Sequence, residues 1–235
     1  MMKHLVLGSL FAVTASLPAY AAFKNNIEAG YSKSNGNTDT ENLFVAASST
    51  YDKALYNASF KLKLDQQHNS GQLTKDYRLA EAKAKQFFKP EKTFYGYGNA
   101  QWEQDSPAGL QNNWVVTLGP GYQWQWALQN TLSLELGAGY QSTDYTDDAQ
   151  DYDGSVGRAF SAYVHPLNKA VTFKADTLFL MDELRTRNTS NLTLESALTQ
   201  SLSLSAGYEY RYNSQPDAGK KKEDTTARLT LKYNF

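Results

Sequence analysis

The sequence predicts an all-β fold, a transmembrane up-and-down antiparallel β-barrel of about 12 strands, on three observations. Segments in which apolar and polar residues alternate recur from Phe23 to the end of the chain, separated by clusters of turn-forming residues. The last eight residues put Leu229, Leu231, Tyr233 and Phe235 on one face and Arg228, Thr230, Lys232 and Asn234 on the other, because successive side chains of a strand point to opposite faces. The connections are unequal: those after the second, fourth, sixth, eighth and tenth segments are short, and most of the others are longer and polar. A barrel with both termini periplasmic has short periplasmic turns and longer external loops, whereas a soluble Greek-key sandwich does not sort its loops in this way.

The first strand sets Ile27, Ala29 and Tyr31 against Asn26, Glu28, Gly30 and Ser32, and Asn35-Gly36 supplies the positive φ angles of a tight hairpin turn. The second, residues 42–51, has Leu43, Val45 and Ala47 on one face, with Phe44 and Ala46 blurring the other. The third alternates Tyr56, Ala58, Phe60, Leu62 and Leu64 with Asn57, Ser59, Lys61, Lys63 and Asp65, and a polar loop follows at 66–73. In the fourth, Ala80, Ala82 and Ala84 oppose Glu81, Lys83 and Lys85. These residue types favour helix, but the period of two and the framing Tyr77, Phe87 and Phe88 favour strand. After a turn at 89–92, the fifth carries Phe94, Gly96, Gly98, Ala100 and Trp102 on one face, and a loop spans 105–113. The sixth alternates Trp114, Val116, Leu118, Tyr122 and Trp124 with Thr117, Gly119, Gly121 and Gln123, with a bulge expected at Pro120.

The seventh strand sets Leu132, Leu134, Leu136, Ala138 and Tyr140 against Ser133, Glu135, Gly137, Gly139 and Gln141, and the longest loop follows at 142–154. The eighth, 155–164, is the least regular, since Arg158 shares the parity of Val156, Phe160 and Val164. The ninth opposes Val171, Phe173, Ala175 and Phe179 to Thr172, Lys174 and Asp176, before a charged loop at 182–187. Leu192, Leu194 and Leu198 mark the tenth; Leu202, Leu204, Ala206, Tyr208, Tyr210 and Tyr212 mark the eleventh. The loop 213–224 precedes the last strand.

The chain has 235 residues and a negative mean hydropathy, and beyond its start no apolar run is long enough for a membrane helix. A barrel needs none, because only every second residue of each strand must be apolar. Sixteen Tyr and 4 Trp suit aromatic girdles at the two membrane interfaces. Tyr31, Trp102, Trp114 and Tyr140 fall at the external interface, and Tyr51, Phe88, Phe94, Trp124 and Phe235 at the periplasmic one. Residues 1–21 read as a cleaved signal peptide: Lys3 in a basic start, a mostly apolar run from Leu5 to Leu17, and Ala19-Tyr20-Ala21 as the cleavage site. Residues 22–235 then form one barrel domain. The absence of cysteine excludes disulfides, Cys-based zinc sites and a lipidated Cys, and a net charge of −1 gives no case for nucleic acid.

Beyond the leader, the histidines are His68 and His165, and neither has the Ser/His/acid arrangement of a hydrolase, so no enzyme is indicated. No cofactor and no metal site is expected. Asp144, Asp147, Asp148, Asp151 and Asp153 offer hard oxygen ligands, but their spacing fits no EF-hand and a solvated acidic loop accounts for them. Lys220-Lys221-Lys222 is either a contact for lipopolysaccharide phosphates or an ordinary solvated loop. The inward parity collects Glu28, Lys61, Lys63, Asp65, Glu81, Lys83, Lys85, Glu135, Lys174, Asp176, Glu195, Glu209, Arg211, Arg228 and Lys232 as candidate lumen-lining residues. They form either a hydrated channel of weak ion selectivity, since the signs nearly balance, or a lumen closed by ion pairs. Closure sets the last strand beside the first, so Arg228 and Lys232 are expected to pair with Glu28 and Glu209 across the seam.

Glu28-Ala29-Gly30-Tyr31-Ser32, then Ser34-Asn35-Gly36-Asn37-Thr38-Asp39-Thr40, then Glu41-Asn42-Leu43 resembles the signature of a family of salt-induced outer-membrane proteins, named after a domain of unknown function. The specific match lies in this first hairpin; length, strand rhythm, leader and the terminal Phe235 agree along the chain. The polar residues of the match also have a local role, since Asn, Thr and Asp tie side chains to turn backbone and set the first register. The resemblance implies an outer-membrane barrel linked to salt stress and supplies no substrate or catalytic residue. The expected partners are outer-membrane lipid and lipopolysaccharide, and the barrel-assembly machinery, which the resemblance of the terminal strand to the endings of bacterial outer-membrane barrels implies reads that strand. The expected function is a narrow passive channel or envelope component. The alternative is a closed structural or surface-interaction barrel working through its external loops. A soluble periplasmic binding protein requires the alternation to be misread.

Overall fold

Twelve antiparallel strands follow one another around a closed barrel in the computed structural model, which describes residues 23–34, 39–126, 129–146, 151–216 and 219–235. They are β1 (Phe23–Ser34), β2 (Thr40–Lys53), β3 (Tyr56–Asn69), β4 (Gln72–Phe87), β5 (Phe94–Asp105), β6 (Leu110–Trp126), β7 (Asn130–Tyr145), β8 (Tyr152–Pro166), β9 (Val171–Met181), β10 (Thr186–Ala197), β11 (Leu202–Asn213) and β12 (Glu223–Asn234). Each pairs with its neighbours in sequence, and β1 pairs with β12. The leader, the Asn35-Gly36 turn and Asp147 and Asp148 lie outside the described residues.

The burial pattern is inside out. Leu118 and Leu136 are 71% and 66% exposed, while Glu135 and Gln141 on the same wall are 2% and 0% exposed. In water such a surface would aggregate; against hydrocarbon it is the stable arrangement, because the polar face is enclosed and a closed ring leaves no unpaired strand edge. Exposed aromatics gather at both margins of the belt. Toward the chain termini, Phe23 packs on Tyr51 (4.9 Å between ring centroids), Phe88 on Phe94 (5.4 Å), Tyr122 on Trp124 (4.3 Å) and Tyr233 on Phe235 (5.9 Å). Toward the opposite end, Trp102 meets Trp114 at 6.3 Å.

The first and last described residues, Phe23 and Phe235, lie at one end. There the backbone of Phe235 exchanges hydrogen bonds with Asn25 (3.2 and 3.0 Å), so the last residue fastens the seam. The β1–β12 ladder is short: residues 26–29 against 231–234.

Three features depart from the alternation pattern. The predicted loops at 66–73, 105–113 and 142–154 are mostly strand: β3 and β4 meet through Ser70-Gly71 alone, β5 and β6 through a 3₁₀ turn at Ser106–Ala108, and β7 runs on to Tyr145. Past the apolar belt the outward face no longer meets lipid and carries polar residues too, so the period of two in polarity disappears while the ladder continues and inward residues such as Asp105, Gln141 and Thr143 stay buried. The loop asymmetry is accordingly weaker than predicted. Register shifts occur at this same end, at Gln67/His68, Glu103/Asp105 and Leu110/Asn112. There is none at Pro120: the ladder to β7 lapses at Gly119 and at Pro120, whose nitrogen has no hydrogen to donate, and resumes in the same register at Gly121↔Glu135. Finally, β8 turns Val156, Arg158 and Phe160 inward, and Val156 packs on Val115 and Leu180 inside the barrel. Its lipid face is left to small residues such as Gly157 and Ala159.

Candidate functional site: a charged lumen with a one-ended cavity

The lumen is filled in two tiers. In the tier nearer the termini, Glu135 on β7 is the hub. Its side chain is fully buried and meets Lys83 (2.5 Å), Lys85 (3.3 Å) and Arg158 (2.8 Å), with the Tyr95 hydroxyl donating at 2.9 Å. The cations also lie over rings: Lys83 over Phe160 at 4.5 Å, Lys85 over Tyr95 at 4.5 Å and Arg158 over Tyr97 at 5.0 Å. In the same tier Glu195 on β10 accepts from Lys174 (2.6 Å) and Lys232 (3.0 Å).

In the tier nearer the loops, Glu209 contacts Lys63 and lies 2.9 Å from Arg211 and 3.5 Å from Arg228. Asp65 accepts from Lys75 and Arg228, both at 2.8 Å. Arg187 on β10 donates to Glu103 on β5 (2.6 Å) and to Gln141 on β7 (3.1 Å), and Arg211 on β11 lies 3.8 Å from Asp105 on β5. β5 and β11 stand half-way round the ring from each other, so these groups cross the lumen rather than line one wall. Aromatic faces support the cations: Arg211 stacks on Tyr77 at 3.3 Å and Arg228 on Phe44 at 4.4 Å. Phe44, which blurs the alternation of the second strand, is therefore an inward platform.

Between the tiers, Glu28 accepts from Thr230, Glu81 from Asn99 (2.7 Å) and Asp176 from Asn191 (2.9 Å). Lys61 shares the parity of Lys63, is exposed, and makes no ion pair among the described residues. The seam differs from expectation. Arg228 reaches Glu209, but Lys232 pairs with Glu195 on β10 instead of Glu28 or Glu209. The residues of β11 that it passes, Ser203 and Ser205, are small enough to let it cross, and Glu28 is taken by Thr230.

Alternation missed Lys75, Glu103, Asp105, Arg158 and Arg187. Glu103 and Asp105 continue the inward parity of Tyr95, Tyr97, Asn99 and Gln101, a signal hidden by ending the strand at Trp102. Lys75 and Arg187 sit just inside the strand ends, next to or within the predicted loops. His165 stacks on Tyr163 (5.9 Å) and its Nδ1 contacts Asn130, a structural setting, and no metal-binding group of His and carboxylates occurs among the described residues. Of the acidic loop, Asp144 accepts from Asn112 (3.2 Å) and Asp151 from the backbone of Tyr145 (2.7 Å).

A cavity of about 400 Å³ opens above the upper tier at the loop end. Its floor holds Tyr77, Glu103, Arg187 and Arg211, its apolar wall Leu178 and Leu180, and its mouth Lys220, Lys221 and Lys222.

Known proteins share this architecture. The chain is 25% identical over 213 residues to the uncharacterized protein YdiY of Escherichia coli (strain K12), covering 91% of this chain and 82% of that one. Its fold is similar to that of the NanC porin, with a TM-score of 0.57 and 11% identity over 89% of this chain and 98% of that one. It is also similar to an outer membrane channel from Pseudomonas putida F1, with a TM-score of 0.51 and 10% identity over 91% and 94% of the two chains. At these identities the two structures speak for the fold, an outer-membrane type of barrel, and not for a solute. The family profile described as a protein of unknown function, DUF481, matches residues 27–235, and the chain belongs to that family.

Proposed function

We propose that the protein spans the bacterial outer membrane as a narrow passive channel, with both termini periplasmic, after removal of residues 1–21. The observation that carries this reading is a charged, polar lumen inside an apolar belt, opening into a cavity at the loop end. A barrel of this size has an interior between the filled eight-stranded barrels and the open porins. Ion pairs across it, such as Arg187–Glu103, leave a constricted path suited to small solutes. The rival is a closed structural barrel, favoured by the fully buried Glu135 hub. Neither reading involves catalysis.

Recordings from refolded protein in planar bilayers separate the two. Small, discrete conductance steps are expected from the wild type. The neutral pair Arg211→Gln with Asp105→Asn removes charges that face each other across the upper tier, and steps several-fold larger are expected. Silence from both proteins in repeated bilayers would establish the closed barrel. Two further parts of the proposal have their own checks. Recognition of the last strand by the assembly machinery predicts a lower outer-membrane yield when Phe235 is deleted. A role in salt stress predicts slower growth in raised salt for a strain lacking the gene.

A further inference from the structure

The cavity at the loop end is cationic in a way the lumen as a whole is not. Its described lining includes six Lys and Arg side chains against three carboxylates, Glu103, Asp105 and Asp224. The three inner cations are paired, Lys75 with Asp65, Arg187 with Glu103 and Arg211 with Glu209, so the excess of positive charge lies in Lys220, Lys221 and Lys222. Two of the lining carboxylates are engaged as well. Glu103 accepts from Arg187 (2.6 Å), Asn113 (2.8 Å) and the Tyr77 hydroxyl (3.1 Å), and Asp105 accepts from the backbone of Asp76 (3.2 Å). The arginines retain donor capacity: Nε of Arg187 and Nη2 of Arg211 are buried without an acceptor among the described residues. A buried donor without a partner costs free energy, and because both side chains line the cavity a small shift of the guanidinium group brings the donor to an incoming acceptor and recovers that cost.

Both guanidinium groups are also held in place. Arg187 is fixed by Glu103 and Gln141, and Arg211 by the Tyr77 ring and Glu209. A planar fork that is already oriented loses little entropy when it binds an oxyanion. At the mouth, the Lys220–Lys222 run raises the local positive potential and draws anions inward. A volume of about 400 Å³ suits a small organic ion.

We propose that this cavity is a binding site for a small multivalent oxyanion, phosphate or carboxylate, entering from the loop end. The proposal deepens the channel reading by naming the class of solute, and it rests on that reading only for access from the loop end. Binding is therefore measured apart from conduction. Refolded protein in phosphatidylcholine nanodiscs is titrated by calorimetry with tripolyphosphate, citrate and spermidine, after heat-modifiable migration has shown each variant to be folded. Wild-type protein is expected to bind tripolyphosphate and citrate and not spermidine, with affinity falling as salt rises. The paired change Arg187→Gln with Glu103→Gln removes one fork without stranding a charge, and a loss of about tenfold or more is expected, equivalent to about 1.4 kcal/mol. Lys220→Ser, Lys221→Ser and Lys222→Ser together, at the exposed mouth, are expected to weaken binding several-fold and to flatten its salt dependence. Competition by lipopolysaccharide in the same discs would identify the natural ligand as a headgroup phosphate, and lack of competition a soluble anion; both outcomes keep the site. Absence of tripolyphosphate and citrate binding, equal binding of spermidine, or wild-type affinity in the Arg187→Gln/Glu103→Gln pair overturns it. Binding by a protein that conducts nothing would retain the site and discard the channel.

Discussion

Replacing Gly139 by valine is expected to stop the barrel from closing. A Cβ at this inward position of β7 would lie 1.8 Å from the carbonyl oxygen of Val116 and 2.7 Å from the Cα of Thr117 on β6. These are backbone atoms of the paired strand, so no side chain can move to make room. Ordinary overpacking costs about 1–3 kcal/mol because side chains can shift; here the ladder itself must part, and the loss is expected to exceed that range. The neighbouring Gly121 is tight for a different reason, since its Cβ would lie 2.3 Å from the Tyr95 ring, which could swing aside at the expense of its bond to Glu135. On a gel run without heating, Gly139→Val should therefore show little of the fast-migrating folded form and Gly121→Ala a reduced amount. Gly98→Ala is the control, since nothing lies within 4 Å of the Cβ it adds, and wild-type folding is expected. A wild-type folded fraction for Gly139→Val would mean that β6 and β7 are not held as closely as described.

Glu135→Leu is expected to produce the largest destabilisation of any single charge change in the lumen. The carboxylate is the shared counter-charge of Lys83, Lys85 and Arg158, all largely buried, and its removal leaves three cations facing one another. Removing one partner of a buried pair costs about 3–5 kcal/mol, because the remaining charge is stranded. The expected readout is a lower urea midpoint for unfolding from lipid vesicles. Combining Glu135→Leu with Lys83→Leu and Arg158→Met should recover part of the loss, since it removes two of the three stranded cations and apolar replacement of buried ion pairs is often neutral. Lys85 then keeps only its contact with Tyr95. Failure of the triple variant to recover stability would show that the ring packing of Tyr97 and Phe160, rather than the charge, holds this tier together.

These two expectations rest on different kinds of legibility. The inward place of Glu135 follows from the sequence alone, because Leu132, Leu134, Leu136 and Ala138 alternate with it without interruption. The regular strands β3, β4, β7, β11 and β12 could be read in the same way, and so could the pairing of the chain's end with its beginning, since a spanning sheet tolerates no open edge. Where strands rise past the apolar belt the reading fails. Glu103, Asp105 and Arg187, which line the cavity, are largely buried on the inward face, but the outward residues there are polar as well, so polarity no longer marks the parity that Glu103 and Asp105 continue. The inward face of β8 was obscured for the opposite reason: Val156 and Phe160 are apolar and packed inside, so parity and polarity disagree.

Local alternation determines the facing of each residue because it depends only on the pleat, a property of two neighbouring peptides. The choice of partner inside the lumen is not local. Arg228 on the last strand finds Asp65 on the third, and Lys63 finds Glu209, four strands away around the ring. Such pairs exist only once the sheet has curved, tilted and closed, and which charge meets which is then set by the stagger between strands and by whether the residue passed over is small, as Ser203 and Ser205 are beneath Lys232. The sequence carried the wall of this barrel in its period of two; the ion pairs and the cavity inside it came into being with closure.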